Sequence, residues 1–268
     1  MIILTKREFQ KNHWSTFLFL GIILCLFGYK SYGLNSSEIL KKSDQWRGVE
    51  NASFEMLATV MDYKDNALFS EIKMKVWVKN NESTLAYYLE PASDKGKLLL
   101  MVNENMWFYQ PNLEKPIRIS PRQRLLGNVA NADIARVNYQ KDYTAEFYQD
   151  PTNLPKDPIL PHDINDYYVL KLTAINDSIA YASIIYWVDK TDFKPMKAIF
   201  YTLSGKLLKT AYYTQFAPIG DHLEIKLSEM IIYDAIQKNN YTKIQYTSLK
   251  SKLFPDKFFN VTYIKNIR

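Results

Sequence analysis

The residues best suited to acid–base or metal chemistry are the histidines, and they stand apart from the partners that such chemistry needs. The chain has three, His13, His162 and His222. His162 and His222 lack a carboxylate or second histidine at metal-ligand spacing, which favours structural or surface roles. The sequence also lacks the HExxH, G-x-S-x-G, P-loop and G-x-G-x-x-G motifs. We therefore expect no enzyme, no metal site and no cofactor.

The acidic residues give no stronger indication of catalysis. Pairs such as Asp62 with Asp65 lie in predicted turns, where we expect solvated caps rather than general acid–base pairs. A hydrolase with an unrecognised site remains a third and distant alternative, and it would need a polar pocket around His162 or His222.

A basic cluster is the polar feature that most resembles a binding site. Its members are Arg118, Arg122, Arg124 and Arg136. A guanidinium group presents a planar fork of donors to a carboxylate or phosphate, so the cluster could contact an anionic head group or the acidic patch of a partner. The alternative, which we favour, is that these arginines form ion pairs with Asp133, Glu114 and Asp142.

Composition restricts the fold and the class of partner. The 268 residues are 47% hydrophobic, 23% charged and 15% aromatic, which indicates a folded, β-rich protein. The net charge is +6, and it falls to +3 without residues 1–33, which carry four Lys or Arg and one Glu. Because no basic arm or helix stands out, we expect no nucleic-acid binding.

The N-terminus is typical of an exported protein. Lys6, Arg7 and Lys11 precede the apolar run of residues 16–29, which is shorter than the roughly 20 residues of a membrane span. We predict a signal peptide at residues 1–33 and a mature domain at 34–268, with an uncleaved anchor as the alternative. Cys25, the only cysteine, lies inside this run. The mature chain would contain no disulfide, as suits a protein of the bacterial envelope.

Beyond a short amphipathic helix at residues 35–48, hydrophobic periodicity predicts one antiparallel sheet. In residues 71–79 the even positions are apolar and the odd positions mostly charged, and similar segments recur between short turns. Residues 98–102, 106–109 and 184–188 are apolar on both faces, so each side of the sheet needs a cover. A filled core and a bound apolar ligand both satisfy this requirement.

Three segments interrupt the strand pattern. Residues 121–136 predict one or two short helical turns that would form a lid, with Pro121 at a helix start. Residues 150–165 contain four prolines and predict an excursion over the surface. Residues 254–259 predict a turn that buries aromatic rings before a last strand at 261–264.

An ordered series of motifs resembles the bacterial outer membrane lipoprotein-sorting family, which is similar to the periplasmic carrier LolA. The motifs are residues 74–79, 91–97, 106–111, 117–124 and 131–136. The resemblance implies a mainly β fold, in which a single curved antiparallel sheet forms a half-open β-barrel with short helices over its concave face. From the segments above we expect about 11 strands.

The resemblance also implies a periplasmic carrier that binds the acyl chains of lipoproteins or other lipids and shuttles them between the inner and outer membranes. We expect a monomer, with an inner-membrane transporter as a candidate partner. The predicted lining of the lipid cavity is Val76, Val78, Leu98, Leu100, Trp107 and Tyr109 from strands and Leu125, Leu126 and Ile134 from the lid. The alternative is an accessory or sensor module that binds a protein or lipid signal for an inner-membrane export system.

Overall fold

Alternating apolar and polar residues produce the strands of this chain. A computed structural model describes residues 33–48, 53–79, 82–135, 139–218, 224–236 and 239–267. The predicted signal peptide lies outside these residues, except for Gly33. In the strand Ala67–Lys79, Ile72, Met74 and Val76 are buried while Lys73 and Lys75 are half-buried. The strand predicted at 71–79 is confirmed, and period-two burial explains it.

Fifteen strands are present among the described residues, and thirteen of them form one sheet. The strands are β1 (Phe54–Lys64), β2 (Ala67–Lys79), β3 (Ser83–Glu90), β4 (Leu98–Val102), β5 (Asn105–Tyr109), β6 (Ile117–Ile119), β7 (Arg124–Leu126), β8 (Val129–Ala130), β9 (Tyr143–Phe147), β10 (Tyr167–Ala174), β11 (Ser183–Asp189), β12 (Pro195–Tyr201), β13 (Leu207–Pro218), β14 (Ile225–Asp234) and β15 (Tyr241–Ser251). The helices are α1 (Ser36–Asp44) and α2 (Asn131–Ala135).

The large sheet is antiparallel and open. Its order is β6-β5-β4-β3-β2-β1-β15-β14-β13-β12-β11-β10-β9, so β6 and β9 are the two edges. Two meanders, β1–β6 and β9–β15, meet where β1 pairs with the last strand, β15. The prediction of a mainly β fold with one open antiparallel sheet is confirmed. The sheet has thirteen strands instead of about eleven, and the edge strand β9 was not predicted because it has one buried residue and no clear hydrophobic alternation.

Helices and lid cover one side of the sheet, which we call the inner face. Helix α1 begins at a capping box in which the side chain of Asn35 accepts from the Glu38 N–H and the Glu38 carboxylate accepts in return. Its Ile39 and Leu40 are buried, and its Ser43 hydroxyl lies 3.0 Å from the Tyr186 hydroxyl of β11. The short helix predicted at 35–48 is confirmed, although its helical part ends at Asp44.

The opposite side, the outer face, is covered by the chain's own irregular segments. Trp187 of β11 packs in a cluster with Leu154, Leu160 and Ile164 of the proline-rich excursion. Near the other edge, Trp77 packs with Phe254 and other side chains of the C-terminal segment, which we define as residues 254–267. Strands β4 and β11, which are apolar on both faces, are therefore buried on both faces by protein, whereas β5 is half-buried apart from Met106.

The C-terminal segment corrects one prediction. The expected strand at 261–264 is absent, and the segment instead contains the 3-10 turns Asp256–Phe259 and Ile264–Asn266. The strand propensity of Val261 and Tyr263 is overridden because the segment packs its rings on a sheet face rather than along a sheet edge. The predicted burial of aromatic side chains in the turn is confirmed, since Phe254 and Phe259 are buried.

Candidate functional site

A small lid, which we define as β7, β8 and α2, lies over part of the inner face. The predicted helical turns at 121–136 are confirmed only for Asn131–Ala135, because the residues before them form the β7–β8 hairpin. Gly127 and Asn128 form the two-residue loop of this hairpin, and the φ of Gly127 is +51°. Positive φ favours glycine in such a loop. At the far side of the lid, Thr84 of β3 donates a hydrogen bond to the Ala135 carbonyl at 2.8 Å.

The tip of the lid is attached to two polar side chains inside the sheet. The Asn128 N–H donates to the Thr242 hydroxyl at 2.8 Å, and that hydroxyl donates to the Asp62 carboxylate at 3.0 Å. Thr242 is fully buried and Asp62 nearly so. The expectation that Asp62 is a solvated turn cap is therefore wrong, because strand β1 continues past it to Lys64.

Replacement of Gly127 by alanine should displace the lid tip. A Cβ atom at this position would overlap the Asp62 Oδ1 and Thr242 Oγ1 atoms, and the backbone is already at positive φ. We expect Gly127→Ala to lower the free energy of unfolding by more than about 1 kcal/mol. Urea unfolding measures this loss.

Gly205→Ala is the matched control for that experiment. Gly205 has φ of +75°, but no other heavy atom lies within 4 Å of the place that an alanine Cβ would occupy. The control therefore carries the backbone strain without the steric overlap. Equal losses in the two variants would contradict the attachment of the lid tip to Asp62.

A buried ion pair attaches the other part of the lid. Lys209 of β13 and Asp133 of α2 form a salt bridge, and their side chains are only 6% and 5% exposed. Asp133 also accepts from the Tyr181 hydroxyl at 2.8 Å and from the Ala130 N–H at 2.7 Å. Burial lowers the pKa of Lys209, although the Asp133 carboxylate opposes this shift. The position of the lid on the sheet therefore depends on an ion pair that is shielded from water.

A cavity of about 500 Å³ opens between the lid and the ends of strands β11–β14. Its size lies within the range of about 300–1,000 Å³ that is usual for small-molecule sites. The apolar part of its wall comes from Val129, Ala130, Ala180, Tyr181, Ala182, Leu203 and Leu208. Arg122, Arg124, Lys209 and Asp234 supply charged groups. Because Asp133 neutralises Lys209, the cavity combines apolar walls with the charges of two arginines and one aspartate.

The nine predicted lining residues do not share one surface. Val76 and Val78 lie on the inner face, since Val78 is paired with Thr84, whose hydroxyl bonds to the lid. Ile134 is buried within α2 and is 1% exposed. Leu125 and Leu126 are half-buried in β7. These five residues lie in the lid or on the sheet face that it covers, but none of them lines the cavity described above, and contact with lipid stays a prediction.

The other four predicted residues are on the outer face, which corrects the expected lining. Leu98, Leu100, Trp107 and Tyr109 pack in the cluster of the C-terminal segment. The register places Leu100 opposite Leu85 and Trp107, on the face away from Val78. Because successive side chains of a strand point to opposite faces, the register fixes the face on which each of these four residues lies. The sequence of β4 did not indicate that face, because the strand is apolar at every position.

The arginine cluster is divided by the fold. Arg122 and Arg124 border the cavity, and the Arg122 guanidinium donates to the carbonyls of Asp177 at 2.8 Å and Ile179 at 2.9 Å. Arg118 lies on edge strand β6 and bonds to the side chain of Asn105. Arg136 and His222 lie outside the described residues. Asp133, one of the expected acidic partners of the arginines, is instead bound by Lys209 among the described residues.

A second buried polar cluster lies under α1 and was not predicted. Arg47 pairs with Asp44 at 3.4 Å, both side chains are 8% exposed, and the guanidinium stacks 3.7 Å from the centre of the Tyr139 ring. Asp44 also accepts from the Gln140 N–H at 2.8 Å. Burial raises the pKa of Asp44 to about 6, against the opposing effect of Arg47. The signal in the sequence was a charged pair, Asp44 and Arg47, beside a predicted apolar helix face.

Two features that would indicate other functions are absent from the described residues. No helix within the described ranges is both long and apolar enough to cross a membrane. Among the same residues, no group of three or more His, Cys, Asp or Glu side chains is arranged to hold a metal ion.

Comparison with known proteins places the chain in a family. A family model described as "-like: Uncharacterized protein" matches residues 80–266. The solved structure of a LolA superfamily protein from Nitrosomonas europaea is 34% identical in sequence, with a TM-score of 0.74, and the match covers 86% of this chain and 100% of that chain. The chain belongs to the LolA superfamily. The resemblance seen in its motifs is thereby confirmed.

Two more distant structures share the LolA-like fold at 18% identity. One is a proposed outer membrane lipoprotein-sorting protein domain from Vibrio parahaemolyticus, with a TM-score of 0.67 over 86% of this chain and 98% of that chain. The other is a DUF1329 family protein from Desulfovibrio piger, with a TM-score of 0.66 over 84% of this chain and 96% of that chain. No curated protein matches the sequence.

Proposed function

We propose that this LolA superfamily protein is a periplasmic carrier that shelters the acyl chain of a lipid or lipoprotein between its sheet and its lid. The observation that supports this proposal most is the cavity of about 500 Å³ at the border of the lid. Its apolar wall gives a hydrocarbon chain a place to enter. The inner face continues beneath the lid with Met74, Val76 and Val78, all fully buried.

Binding would work by burial of hydrocarbon, without a covalent step. Each methylene removed from water contributes about 0.8 kcal/mol, so one long acyl chain supplies roughly 10 kcal/mol. That gain is comparable to what holds the lid, namely polar attachments such as Lys209–Asp133 and the burial of lid side chains such as Val129 and Ile134. The acyl chain would replace these contacts along the inner face as the lid opens, and release requires an acceptor that binds the lipid better.

The charged border of the cavity favours an anionic head group. Arg124 is exposed at the rim, and the exposed Arg122 is positioned by two backbone carbonyls. A guanidinium group binds phosphate or carboxylate through paired donors. We propose that the head group of the cargo lies at this rim while the acyl chain lies against the apolar wall.

Native mass spectrometry of protein purified gently from the bacterial envelope tests carriage directly. Co-purified lipid is the expected result, and the same measurement reports whether the first 33 residues are removed. A clean apo mass would contradict carriage and would support the accessory or sensor module.

Filling the cavity should abolish lipid binding. Ala182 lines the cavity and is half-buried, so Ala182→Trp adds a ring to the space that the acyl chain needs. We expect the affinity for a fluorescent fatty acid to fall by at least about tenfold, since several methylenes lose their contacts. The control is Ala92→Trp in the exposed β3–β4 turn, which should bind like the wild type. Equal affinity in both variants would exclude this cavity as the lipid site.

A further inference from the structure

Large apolar side chains are exposed at one end of the strands, on the tips of three hairpins. Leu68 and Phe69 follow the β1–β2 tip and are 54% and 64% exposed. Leu203 of the β12–β13 tip is 67% exposed, and Ile236 of the β14–β15 tip is 79% exposed. Exposure of apolar side chains to water is unfavourable in the free protein, so a surface with four of them indicates an interaction site.

The three tips lie at one end of the sheet, on strands that are not its edge strands β6 and β9. Strand register pairs Tyr63 with Tyr241 and Lys209 with Asp234, which places all three hairpin turns at the same end of their strands. The first and third tips are in contact, since the Asn66 N–H donates to the Asn239 carbonyl at 3.4 Å. We call this end the docking edge and define it by Lys64, Leu68, Phe69, Leu203, Lys206, Leu207, Leu208 and Ile236.

We infer that the docking edge attaches the protein to the surface of an anionic lipid bilayer. Lys64 and Lys206 are exposed among the apolar tips, and the Lys64 ammonium lies 3.4 Å from the centre of the Phe69 ring. Arg122 and Arg124 add positive charge beside the Leu203 tip, where they share the cavity wall with Leu203 and Leu208. Apolar side chains at the acyl boundary with cations at head-group level are the arrangement of interfacial anchors.

The form of the edge favours a bilayer over a protein partner. The apolar side chains are distributed over three turns, and a stable protein interface needs about 800 Å² of closely fitted surface on each side. A fluid bilayer adapts to each projecting side chain individually. Because Leu203 and Leu208 belong to both the edge and the cavity wall, attachment would bring the cavity to the membrane.

Vesicle co-flotation tests the inference and requires no cargo. The chain from Leu34 onward is used, since Asn35–Arg268 forms one compact unit. It is mixed with phosphatidylcholine vesicles that contain or lack phosphatidylglycerol. We expect binding to the anionic vesicles, with Leu68→Ser/Phe69→Ser lowering the partition coefficient at least about tenfold. Lys206→Gln should lower it about fivefold on anionic vesicles only.

Leu253→Ser is the matched control. Leu253 is 92% exposed and follows the opposite end of β15, where Ser251 pairs with Phe54. It should leave the partition coefficient unchanged within about twofold if only the docking edge enters the bilayer. An absence of vesicle binding, or an equal loss in Leu253→Ser, would overturn the inference. Either result would leave lipid carriage intact, because that proposal rests on the cavity and its own measurements.

Discussion

Lys209→Met should lower the free energy of unfolding by about 3–5 kcal/mol, because it leaves the Asp133 carboxylate buried without a counter-charge. Both side chains of the pair are almost completely shielded from water. The two remaining donors to Asp133, from Tyr181 and Ala130, are neutral groups. Chemical denaturation of the purified variant measures the loss, and the lid should be the region that exchanges its amide hydrogens faster.

Two further variants make this prediction specific to the buried pair. Lys171→Met breaks the exposed pair between Lys171 and Glu146, in which the side chains are 47% and 63% exposed, and it should change stability by less than about 1 kcal/mol. The double variant Lys209→Met/Asp133→Asn removes both charges but retains an acceptor for the Ala130 N–H. It should recover more than about 1 kcal/mol relative to Lys209→Met. Additive losses in the double variant would show that the charges do not interact.

Arg47→Met should be nearly as damaging at neutral pH and much less damaging in acid. At pH 7 the variant removes the partner of the buried Asp44 carboxylate, and we expect a loss of about 3–5 kcal/mol. Well below pH 4 Asp44 is protonated in both folded and unfolded chains, so the variant no longer leaves a buried charge. The contacts of the guanidinium with the rings of Tyr139 and Tyr213 are still lost, at about 1–2 kcal/mol. Urea unfolding at the two pH values measures the difference.

The pKa of Asp44 fixes the sign of this dependence. Burial raises it from 3.8 to about 6 in the folded protein, so between these values the folded state holds a proton that the unfolded chain has released. The contribution of Asp44 to stability is therefore full below about pH 4 and declines as the pH rises to about 6. Asp44→Asn should remove this decline, so the variant should gain stability relative to the wild type between pH 4 and pH 7. An equal stability difference between the two proteins at both pH values would contradict this account.

The fold was predictable from the sequence because its signals are local. Alternation in residues 71–79, the asparagine cap before α1 and the prolines of the surface excursion each act within a few residues of the chain. The motif series then indicated the LolA superfamily. The β7–β8 hairpin was missed because a three-residue strand joined to a two-residue strand has no period to detect.

The candidate site was only partly predictable. Arg122 and Arg124 were identified from their type and spacing, and the structure places both at the cavity. Lys209 and Thr242 were not identified, although each is a polar residue at an inward position of a strand. Such residues can be recognised as unusual only when it is known which alternate residues of the strand point inward. That in turn depends on which segments cover each face of the sheet.

The sequence by itself determined that the chain forms an antiparallel sheet with a short N-terminal helix, since hydrophobic periodicity and capping are properties of neighbouring residues. The tertiary structure alone decided which side of each strand faces the lid. Leu98 and Leu100 belong to a strand that is apolar on both sides, so its covers select their face: the C-terminal segment on the outer side and the lid on the inner. The lid and the C-terminal segment are distant in sequence from many of the strands that they cover. Their contacts form only when the chain folds back on itself, which no pattern of neighbouring residues encodes.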